Sequence, residues 1–322
     1  MEITTKKRMQ IFSGRGYPEL AQEVVDHLGM RLGDVDIHEF ANGEIYVRFR
    51  ENVRGSDVFL IQSHCRPVND NVWEQLEMID AAKRASAKRI IAVVPFYSYA
   101  RQDRKARSRE PITAKLLADM LTIAGADRVV SVDLHAGQIQ GFFNRPVDHL
   151  TALPLLVSWL RGNYDEELVI ASPDAGGVNL ASKFQSRLPD ARLAFLAKTR
   201  TAHNVAKTLA VVGDVEGRTC VLVDDMIDTA GTVCGAAEAL MDHGAKRVVV
   251  CATHPVLSDP ACERLAKSDI DRVVVTNTLP LPLSCNDLDK IEVVSIAPIV
   301  ASTMKAIFED ESVSELFDDQ NQ

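Results

Sequence analysis

The sequence predicts an α/β protein built on mainly parallel sheets, and two observations carry this prediction. Apolar runs rich in Val and Ile recur along the chain and are continuous rather than alternating, which is typical of strands buried on both faces of a parallel sheet. Segments with helical spacing lie between these runs, and such alternation of strand and helix indicates the α/β class. The predicted strands are 57–62, 89–94, 127–132, 167–172, 192–197, 219–223, 247–252 and 272–276.

Three of the intervening segments carry clear helix signals. Residues 71–85 repeat apolar side chains at helical spacing. The predicted apolar stripe consists of Trp73, Leu76, Ile79 and Ala82. Residues 112–126 follow a proline, have Thr113 as a candidate N-cap and end at a glycine. Residues 232–245 begin at Thr232 and also stop at a glycine.

Length and pattern together predict two domains. The chain has 322 residues, of which 46% are hydrophobic, so two packed cores are feasible. The strand pattern restarts near 150–154, and we therefore expect domains at 1–150 and 151–322. Segments 129–138 and 220–231 echo each other, since each is an apolar strand with an acid at its C-terminal end. In open α/β sheets, ligands bind at those strand ends.

Composition excludes several classes of protein. The net charge of −9 argues against nucleic acid as the main partner, although it leaves phosphate ligands open. The N-terminal residues lack the apolar core of a secretory signal, and no apolar run approaches a membrane span, so we expect a cytoplasmic protein without a membrane partner. No cysteine pair has C-x-x-C spacing, which argues against a zinc site. We expect buried free thiols in a reducing compartment at Cys65, Cys220, Cys234, Cys251, Cys262 and Cys285.

The run VLVDDMIDTAGT, residues 221–232, combines a strand end, three acids and a turn of small residues. Asp224 and Asp225 follow the predicted strand, and residues 228–232 turn into the next helix, where Gly231 permits a sharp turn. Backbone N–H groups at a helix start suit a phosphate, whereas carboxylates suit the hydroxyls of a sugar. A sugar phosphate fits both parts, but residue chemistry alone leaves an ordinary acidic loop with an N-cap equally open.

Other polar segments are ambiguous when taken singly. RQDRKARSR, residues 101–109, has five basic residues in nine, which suits a nucleotide but is more typical of a solvated face. His135 and Asp174 each follow a predicted strand and could hold a metal, although such residues are more often structural. Lys198 and Arg200 begin a polar stretch whose composition is compatible either with a catalytic lid or with an ordinary surface loop.

Together, these segments resemble one family. The run at 221–232 resembles the phosphoribosyl-diphosphate signature that type I phosphoribosyltransferases share with ribose-phosphate pyrophosphokinases. The whole set, in family order from about Met9 to Phe317, resembles the pyrophosphokinases: FANGEIYVRFRENVRGSDVFLIQS at 40–63, YARQDRKARSREPITAKL at 99–116, VDLHAGQIQGFF at 132–143, SPDAGG at 172–177 and GDVEGRTCVLVDDMIDTAGT at 213–232. The resemblance implies two tandem type I phosphoribosyltransferase-like domains. It also implies synthesis of phosphoribosyl diphosphate and AMP from ATP and ribose 5-phosphate with Mg²⁺.

The resemblance also implies roles for individual residues. Lys198 and Arg200 match the catalytic loop, and His135 and Asp174 match magnesium ligands. The ATP-binding residues it implies, on the first domain, are Phe40, Asn42, Glu44, Arg101, Gln102 and His135. The ribose 5-phosphate residues it implies, on the second domain, are Arg200, Asp224, Asp225, Asp228, Thr229, Ala230, Gly231 and Thr232. In the family, the segment of Phe40 comes from a neighbouring subunit, which implies a homo-oligomer, typically a hexamer, with a shared ATP site.

Two alternatives and two departures accompany this interpretation. A phosphoribosyltransferase that consumes phosphoribosyl diphosphate would share residues 223–232 but would not need the segments at 40–44 and 101–109. A catalytically silent regulatory relative would carry altered catalytic segments, whereas here they are intact.

No Gly-Lys dipeptide occurs, so a Walker A loop is absent from the sequence. Ser258-Asp259 and residues 279–288 depart from the family pattern, so regulation is harder to transfer than catalysis.

Overall fold

The computed structural model describes residues 7–199 and 208–317, which contain two mainly parallel sheets and one separate hairpin. In this part of the chain the strands are β1 Met9–Ser13, β2 Val35–Glu39, β3 Ile45–Phe49, β4 Asp57–Ile61, β5 Arg89–Val94, β6 Arg128–Val132, β7 Val147–Leu150, β8 Leu168–Ser172, β9 Arg192–Thr199, β10 Thr208–Val212, β11 Thr219–Ile227, β12 Arg247–Pro255, β13 Ile270–Thr276 and β14 Ile291–Val294.

The first sheet has the order β1-β4-β5-β6-β7, and all its described pairs are parallel. The second sheet has the order β10-β9-β8-β11-β12-β13-β14, in which only the β9–β10 pair is antiparallel among the described strands. Strands β2 and β3 form a separate antiparallel hairpin. In both large sheets the parallel strands end at one edge, and the loops of interest follow those ends.

Helices join the parallel strands. They are α1 Pro18–His27, α2 Val68–Arg84, α3 Thr113–Ala124, α4 Leu153–Asn163, α5 Val178–Arg187, α6 Gly231–Asp242, α7 Ala261–Lys267 and α8 Ala297–Glu309. Within residues 7–199 and 208–317, no helix has both the length and the apolar character needed to cross a bilayer. The predicted α/β class, with parallel sheets flanked by helices, is confirmed.

The chain forms two compact units. The first runs to Thr151 and resumes at Ile296, and the second covers Ala152–Ser295. The predicted boundary at residue 150 lies next to this division. The predicted second domain, 151–322, is longer than the second unit, because α8 packs against α1 in the first unit. Asp310, directly after α8, also forms an ion pair with Arg89 of that unit at 2.7 Å.

The strands of the second unit are continuous apolar runs because neighbouring residues along them are buried on opposite faces of the sheet. Leu222 of β11 and Val250 of β12 are fully buried in a cluster with side chains of α6 and α7. Val223 and Val249, one position along each strand, are fully buried in another cluster with side chains of α4 and α5. Both faces of the sheet are therefore covered by helices, and each fully buried Val or Leu contributes roughly 1.5–3 kcal/mol.

All eight predicted strands are present, but the sequence patterns missed six of the described strands. The missed strands are β1, β2, β3, β7, β10 and β14. All six lie at sheet edges or in the hairpin, where many side chains are only partly buried and the apolar runs are short. A continuous apolar run is typical of a central strand with both faces buried, and edge strands lack such a run.

Two helix details were wrong. Thr113 is the first residue of α3 and not its N-cap, because Ile112 occupies the cap position without a side-chain cap bond. The Thr113 hydroxyl instead donates to Gln102 Oε1 at 2.6 Å. Trp73 leaves the predicted stripe of α2, with 54% of its surface exposed, and donates from its indole to Glu77 Oε1 at 2.8 Å. The other three stripe residues are buried as predicted.

The thiol prediction holds only in part. Cys65, Cys220 and Cys251 are free and buried, and Cys234 is free and half-buried. Cys262 and Cys285 form a disulfide, which corrects the prediction that all six are free. They lie 23 residues apart, so no short spacing signalled the pair, yet packing of α7 against the 283–285 turn brings their Cα atoms to 5.3 Å.

Candidate functional site

The adjacent acids Asp224 and Asp225 lie on β11, in the middle of the second sheet. The strand runs to Ile227, four residues beyond the predicted end, because it keeps pairing with β12 as far as Pro255. The neighbouring strand β8 pairs with β11 only up to Leu222. The two carboxylates therefore stand half-buried at the C-terminal edge, where β8 has already ended and left one side open.

The environment of Asp224 is unfavourable for negative charge. Burial, together with the neighbouring charge of Asp225, raises the pKa of Asp224 to about 8, and Asp174 adds a smaller effect in the same direction. The Asp225 N–H donates to Asp224 Oδ1 at 2.9 Å and opposes the rise. Such a crowded acid gains when hydroxyl donors or a cation arrive, because either one stabilises its charged form.

Asp174 belongs to the turn that follows β8. Its Oδ1 accepts hydrogen bonds from the N–H groups of Gly176 at 2.8 Å and Gly177 at 3.2 Å. A Cβ on Gly177 would lie 2.7 Å from Ser172 Oγ, so glycine is required for this close turn. Asp174 Oδ2 accepts no hydrogen bond from the described residues. It therefore stays available for another ligand.

The turn after β11 differs from the prediction that centred on Gly231. The positive φ falls on Ala230, at 59°, and Gly231 is the first residue of α6. A Cβ at this position would lie 3.3 Å from Arg264 Nη1, so the guanidinium would have to shift slightly to admit a side chain. The Ala230 methyl is buried, whereas Thr229, Gly231 and Thr232 are exposed. An exposed helix start with N–H groups and two hydroxyls is a suitable anion site.

The predicted nucleotide residues Arg101 and Gln102 lie at the C-terminal edge of the first sheet. They form a 3-10 turn after β5, and both are exposed. His135, also exposed, follows the adjacent strand β6. The loops after β5 and β6 are joined by Gln138 Nε2, which donates to Asp103 Oδ2 at 2.9 Å. The structure thus brings these three predicted residues to one edge.

The hairpin β2–β3 carries the other predicted nucleotide residues, Phe40, Asn42 and Glu44, at its exposed tip. The tip is closed by the Phe40 N–H, which donates to the Glu44 carbonyl at 2.8 Å, and by the Glu44 N–H, which donates to Asn42 Oδ1 at 3.2 Å. The Phe40 ring packs edge-on against Tyr46. These contacts stay within the hairpin and present an exposed aromatic ring.

Of the predicted catalytic pair Lys198 and Arg200, only Lys198 belongs to the described residues. The backbone of Lys198 lies on β9 opposite Leu209 of β10. Arg200 lies outside the described residues. Asp228, the remaining predicted residue of the turn, is half-buried between β11 and α6.

Comparisons with known proteins agree over most of the chain. A family model described as the N-terminal domain of ribose phosphate pyrophosphokinase matches residues 9–125. A model of the phosphoribosyl synthetase-associated domain matches residues 190–318. The ribose-phosphate pyrophosphokinase of Streptomyces avermitilis is 54% identical over 99% of both chains. The chain belongs to the ribose-phosphate pyrophosphokinase family.

Further relatives support the same assignment. The ribose-phosphate pyrophosphokinase of Mycobacterium tuberculosis is 54% identical over 97% of both chains. A crystal structure of phosphoribosylpyrophosphate synthetase from Mycobacterium smegmatis is 52% identical and covers 94% of this chain and all of its own, with a TM-score of 0.90. The predicted family, fold class and enzyme type are therefore confirmed.

Magnesium is the metal that the family resemblance implies, and the residues present suit it. Among residues 7–199 and 208–317, no group of three or more His, Cys, Asp or Glu forms a protein cage for a metal. Mg²⁺ does not need one, because it keeps several waters and takes one or two protein carboxylates together with substrate phosphates. Asp174 Oδ2, on the second unit, is an oxygen ligand of this kind, and His135, on the first unit, is exposed.

Two residues that support the site were missed by sequence reasoning. His64 is fully buried, and its Nδ1 accepts a hydrogen bond from the Ser98 N–H at 3.3 Å, in the loop that leads to Arg101. Arg264 of α7 donates to the Thr229 carbonyl at 2.9 Å, behind the turn. Both act on backbone groups far away in sequence, so no local motif marks them.

Proposed function

We propose that this chain transfers the diphosphoryl group of ATP to the 1-hydroxyl of ribose 5-phosphate, which gives 5-phosphoribosyl 1-diphosphate and AMP and feeds nucleotide biosynthesis. One observation carries the proposal within the family: two half-buried carboxylates near the C-terminal end of β11 are followed, after a short turn, by an exposed helix start. A ribose phosphate, with hydroxyls at one end and a dianion at the other, complements both features.

The ribose 5-phosphate contacts follow from this polarity. Asp224 and Asp225 accept hydrogen bonds from ribose hydroxyls, which relieves the crowding of negative charge around Asp224. The segment 228–232, that is Asp228, Thr229, Ala230, Gly231 and Thr232, cradles the 5-phosphate with N–H groups and hydroxyls. These contacts orient the 1-hydroxyl for attack on the β-phosphorus.

ATP is held by residues of the first unit. The exposed basic segment supplies Arg101 for the phosphates, and Gln102, braced by the Thr113 hydroxyl, supplies an amide. Phe40 offers an exposed face for adenine, with Asn42 and Glu44 beside it. Exposed basic and aromatic groups of this kind suit a charged nucleotide.

The chemical step depends on positioning and on charge. Lys198 and Arg200 stabilise the negative charge on the transferring diphosphoryl group, and the 1-hydroxyl of the ribose is the nucleophile. His135 and Asp174 would each offer a ligand to Mg²⁺, which when bound would supply neutralising charge at the phosphate oxygens. Asp174 is prepared for this role, because its Oδ1 is fixed by two N–H groups while its Oδ2 faces no hydrogen-bond donor among the described residues.

The test is an assay with ATP and ribose 5-phosphate that measures AMP and phosphoribosyl diphosphate. The wild type should form both in equal amounts, whereas a phosphoribosyltransferase or a silent relative would release no AMP. Lys198→Ala should bind ATP normally but lose roughly 100-fold or more in turnover. Lys246→Ala is the matched control, since Lys246 forms an ion pair with Glu166 at 2.6 Å at the other end of the sheet. Unchanged AMP release in Lys198→Ala would refute its assigned role.

The proposal includes a homo-oligomer, which in the family is a hexamer. In it, Phe40 of one subunit would contribute to the ATP site of a neighbouring subunit. Support comes from an apolar depression of about 650 Å³ on the first unit, lined by Tyr46, Trp73, Met120 and Ile123, among others. Trp73 and Ile123 are 54% and 77% exposed in the single chain, and a second copy would cover them. A cytoplasmic location with no nucleic-acid or membrane partner fits the ATP-dependent reaction.

Mixed subunits test the sharing of the site. Phe40→Ala and Lys198→Ala proteins should each be nearly inactive, because each lacks one part of every site. After dissociation and mixing, some sites combine an intact Phe40 with an intact Lys198 from another subunit, so activity should return. Failure to recover activity in mixtures shown by mass to be hybrid would contradict the shared site.

A further inference from the structure

We infer that Arg264 is a positioning residue for ribose 5-phosphate: it holds the 228–232 turn in its phosphate-binding conformation and adds uncompensated positive charge beside it. This inference rests on the proposed function. The observation behind it is the hydrogen bond from Arg264 Nη1 to the Thr229 carbonyl, at 2.9 Å across 35 residues of sequence.

The contact controls the direction of one peptide group. In a trans peptide the C=O and the N–H point in opposite directions. Arg264 draws the Thr229 carbonyl towards α7, so the N–H of Ala230 must point away from α7. Ala230 itself has a φ of 59°, a conformation that non-glycine residues adopt at a cost of roughly 1 kcal/mol or more. A turn under such strain needs an outside contact to persist, and Arg264 supplies one.

Several arginines of the second unit are neutralised by a carboxylate, whereas Arg264 and Arg161 form no ion pair with a described residue and each donates to a backbone carbonyl. Arg192, Arg218 and Arg272 each form an ion pair with a carboxylate at 2.9 Å or less. Its guanidinium lies 3.3 Å from where a Cβ of Gly231 would stand, at the first residue of α6. An unneutralised cation at this point attracts a phosphate dianion.

Helix α7 keeps Arg264 in place. Cys262, two residues earlier, is bonded to Cys285, and Leu265, the next residue, is fully buried. Lys290 Nζ donates to the carbonyls of Leu265 and Ser268, both at 3.1 Å. The short helix is therefore fixed at both ends, and a fixed helix presents the guanidinium to the turn with little loss of side-chain freedom.

The test compares Arg264→Ala, Arg264→Gln and Arg264→Lys with Lys267→Ala. Lys267 lies on the same helix and forms an exposed ion pair with Glu263 at 2.5 Å, so its removal also deletes one positive charge from α7. Arg264→Ala should raise the KM for ribose 5-phosphate about tenfold, leave the KM for ATP within about twofold, and change kcat little. Arg264→Lys should recover much of the loss, Arg264→Gln less, and Lys267→Ala should behave like the wild type.

Calorimetry separates this inference from the proposed function. Titration of ribose 5-phosphate into protein saturated with α,β-methylene-ATP reports binding without turnover, and Arg264→Ala should weaken Kd about tenfold. A wild type that releases no AMP would refute the proposed function, while this titration would still test Arg264. Normal binding of ribose 5-phosphate by folded Arg264→Ala, or an equal rise in the KM for ATP, would overturn the inference. If the alanine variant does not fold, the glutamine variant, which keeps an N–H donor on a shorter and uncharged side chain, decides by the same criteria.

Discussion

Acidification should destabilise this protein through His64, and the variant His64→Asn isolates the effect. His64 is fully buried, and its Nδ1 accepts the Ser98 N–H at 3.3 Å. Nε2 therefore carries the proton and donates to Gln75 Oε1 at 2.8 Å. A second proton on Nδ1 would face the Ser98 N–H and break the bond that holds the loop leading to Arg101.

The size of the effect follows from the pKa. Burial lowers the pKa of His64 from 6.5 to about 4, and only the bond to Gln75 opposes the shift. Above pH 6.5 the ring is neutral in both folded and unfolded chains, so no stability is lost. As pH falls from 6.5 towards 4, the unfolded chain takes up the proton and the folded chain does not. At about 1.4 kcal/mol per pH unit, this lowers the free energy of unfolding by about 3 kcal/mol.

Urea unfolding at pH 7.5, 6.5, 5.5 and 4.5 measures this loss. Other groups also titrate in this range, and the difference between wild type and His64→Asn cancels their contributions. Asparagine keeps an acceptor near the position of Nδ1 and does not bind a proton in this range. The wild type should therefore lose about 3 kcal/mol more than the variant on acidification. Parallel pH profiles for the two proteins would refute the buried neutral histidine.

Three further predictions concern the site and its supports. Asp224→Asn should lose affinity for ribose 5-phosphate. It should also become more stable than the wild type as pH rises from 4 to 8, because the pKa of the wild-type carboxyl is raised in the folded protein and the wild type loses stability over this range. In urea unfolding at pH 8 the difference should be about 2 kcal/mol or more, and equal stability there would contradict the raised pKa. Reduction of the Cys262–Cys285 bond should lower the free energy of unfolding by about 3 kcal/mol, as expected for a loop of this length. Thiol titration of the unfolded protein should find four free thiols before reduction and all six cysteines after it, and six at the outset would contradict the bond. Thr113→Val removes the hydroxyl that holds Gln102 and should raise the KM for ATP about fivefold with the KM for ribose 5-phosphate unchanged, whereas equal changes in both would point to general disorder.

The sequence predicted those parts of the molecule that depend on neighbouring residues. The central strands are continuous apolar runs because both faces of each sheet are covered, and that pattern is visible in any short window. Asp224 and Asp225 were placed correctly at the C-terminal edge of the sheet, because they follow one of these apolar runs. Even there, the strand was predicted four residues too short, since pairing with β12 continues through polar residues that no apolar pattern includes.

What the sequence could not predict depends on contacts between distant segments. Gly231 was expected to make the turn, but Ala230 takes the positive φ, and its methyl is buried against residues distant in sequence. The bond between Cys262 and Cys285 arises from the packing of α7, and no sequence motif that contains the two residues predicts it. Each of these features requires the folded chain before it can be recognised.

The segment from Asp224 to Thr232 has opposite electrostatic character at its two ends, and this polarity favours one substrate over the other. At the first end, burial and neighbouring acids already raise the pKa of Asp224, so a polyphosphate such as ATP would meet repulsion there. At the other end, an exposed helix start and the unneutralised Arg264 favour an anion. A molecule with neutral hydroxyls at one end and a dianion at the other satisfies both, as ribose 5-phosphate does. ATP, anionic along its whole phosphate chain, suits the exposed basic segment that begins at Arg101.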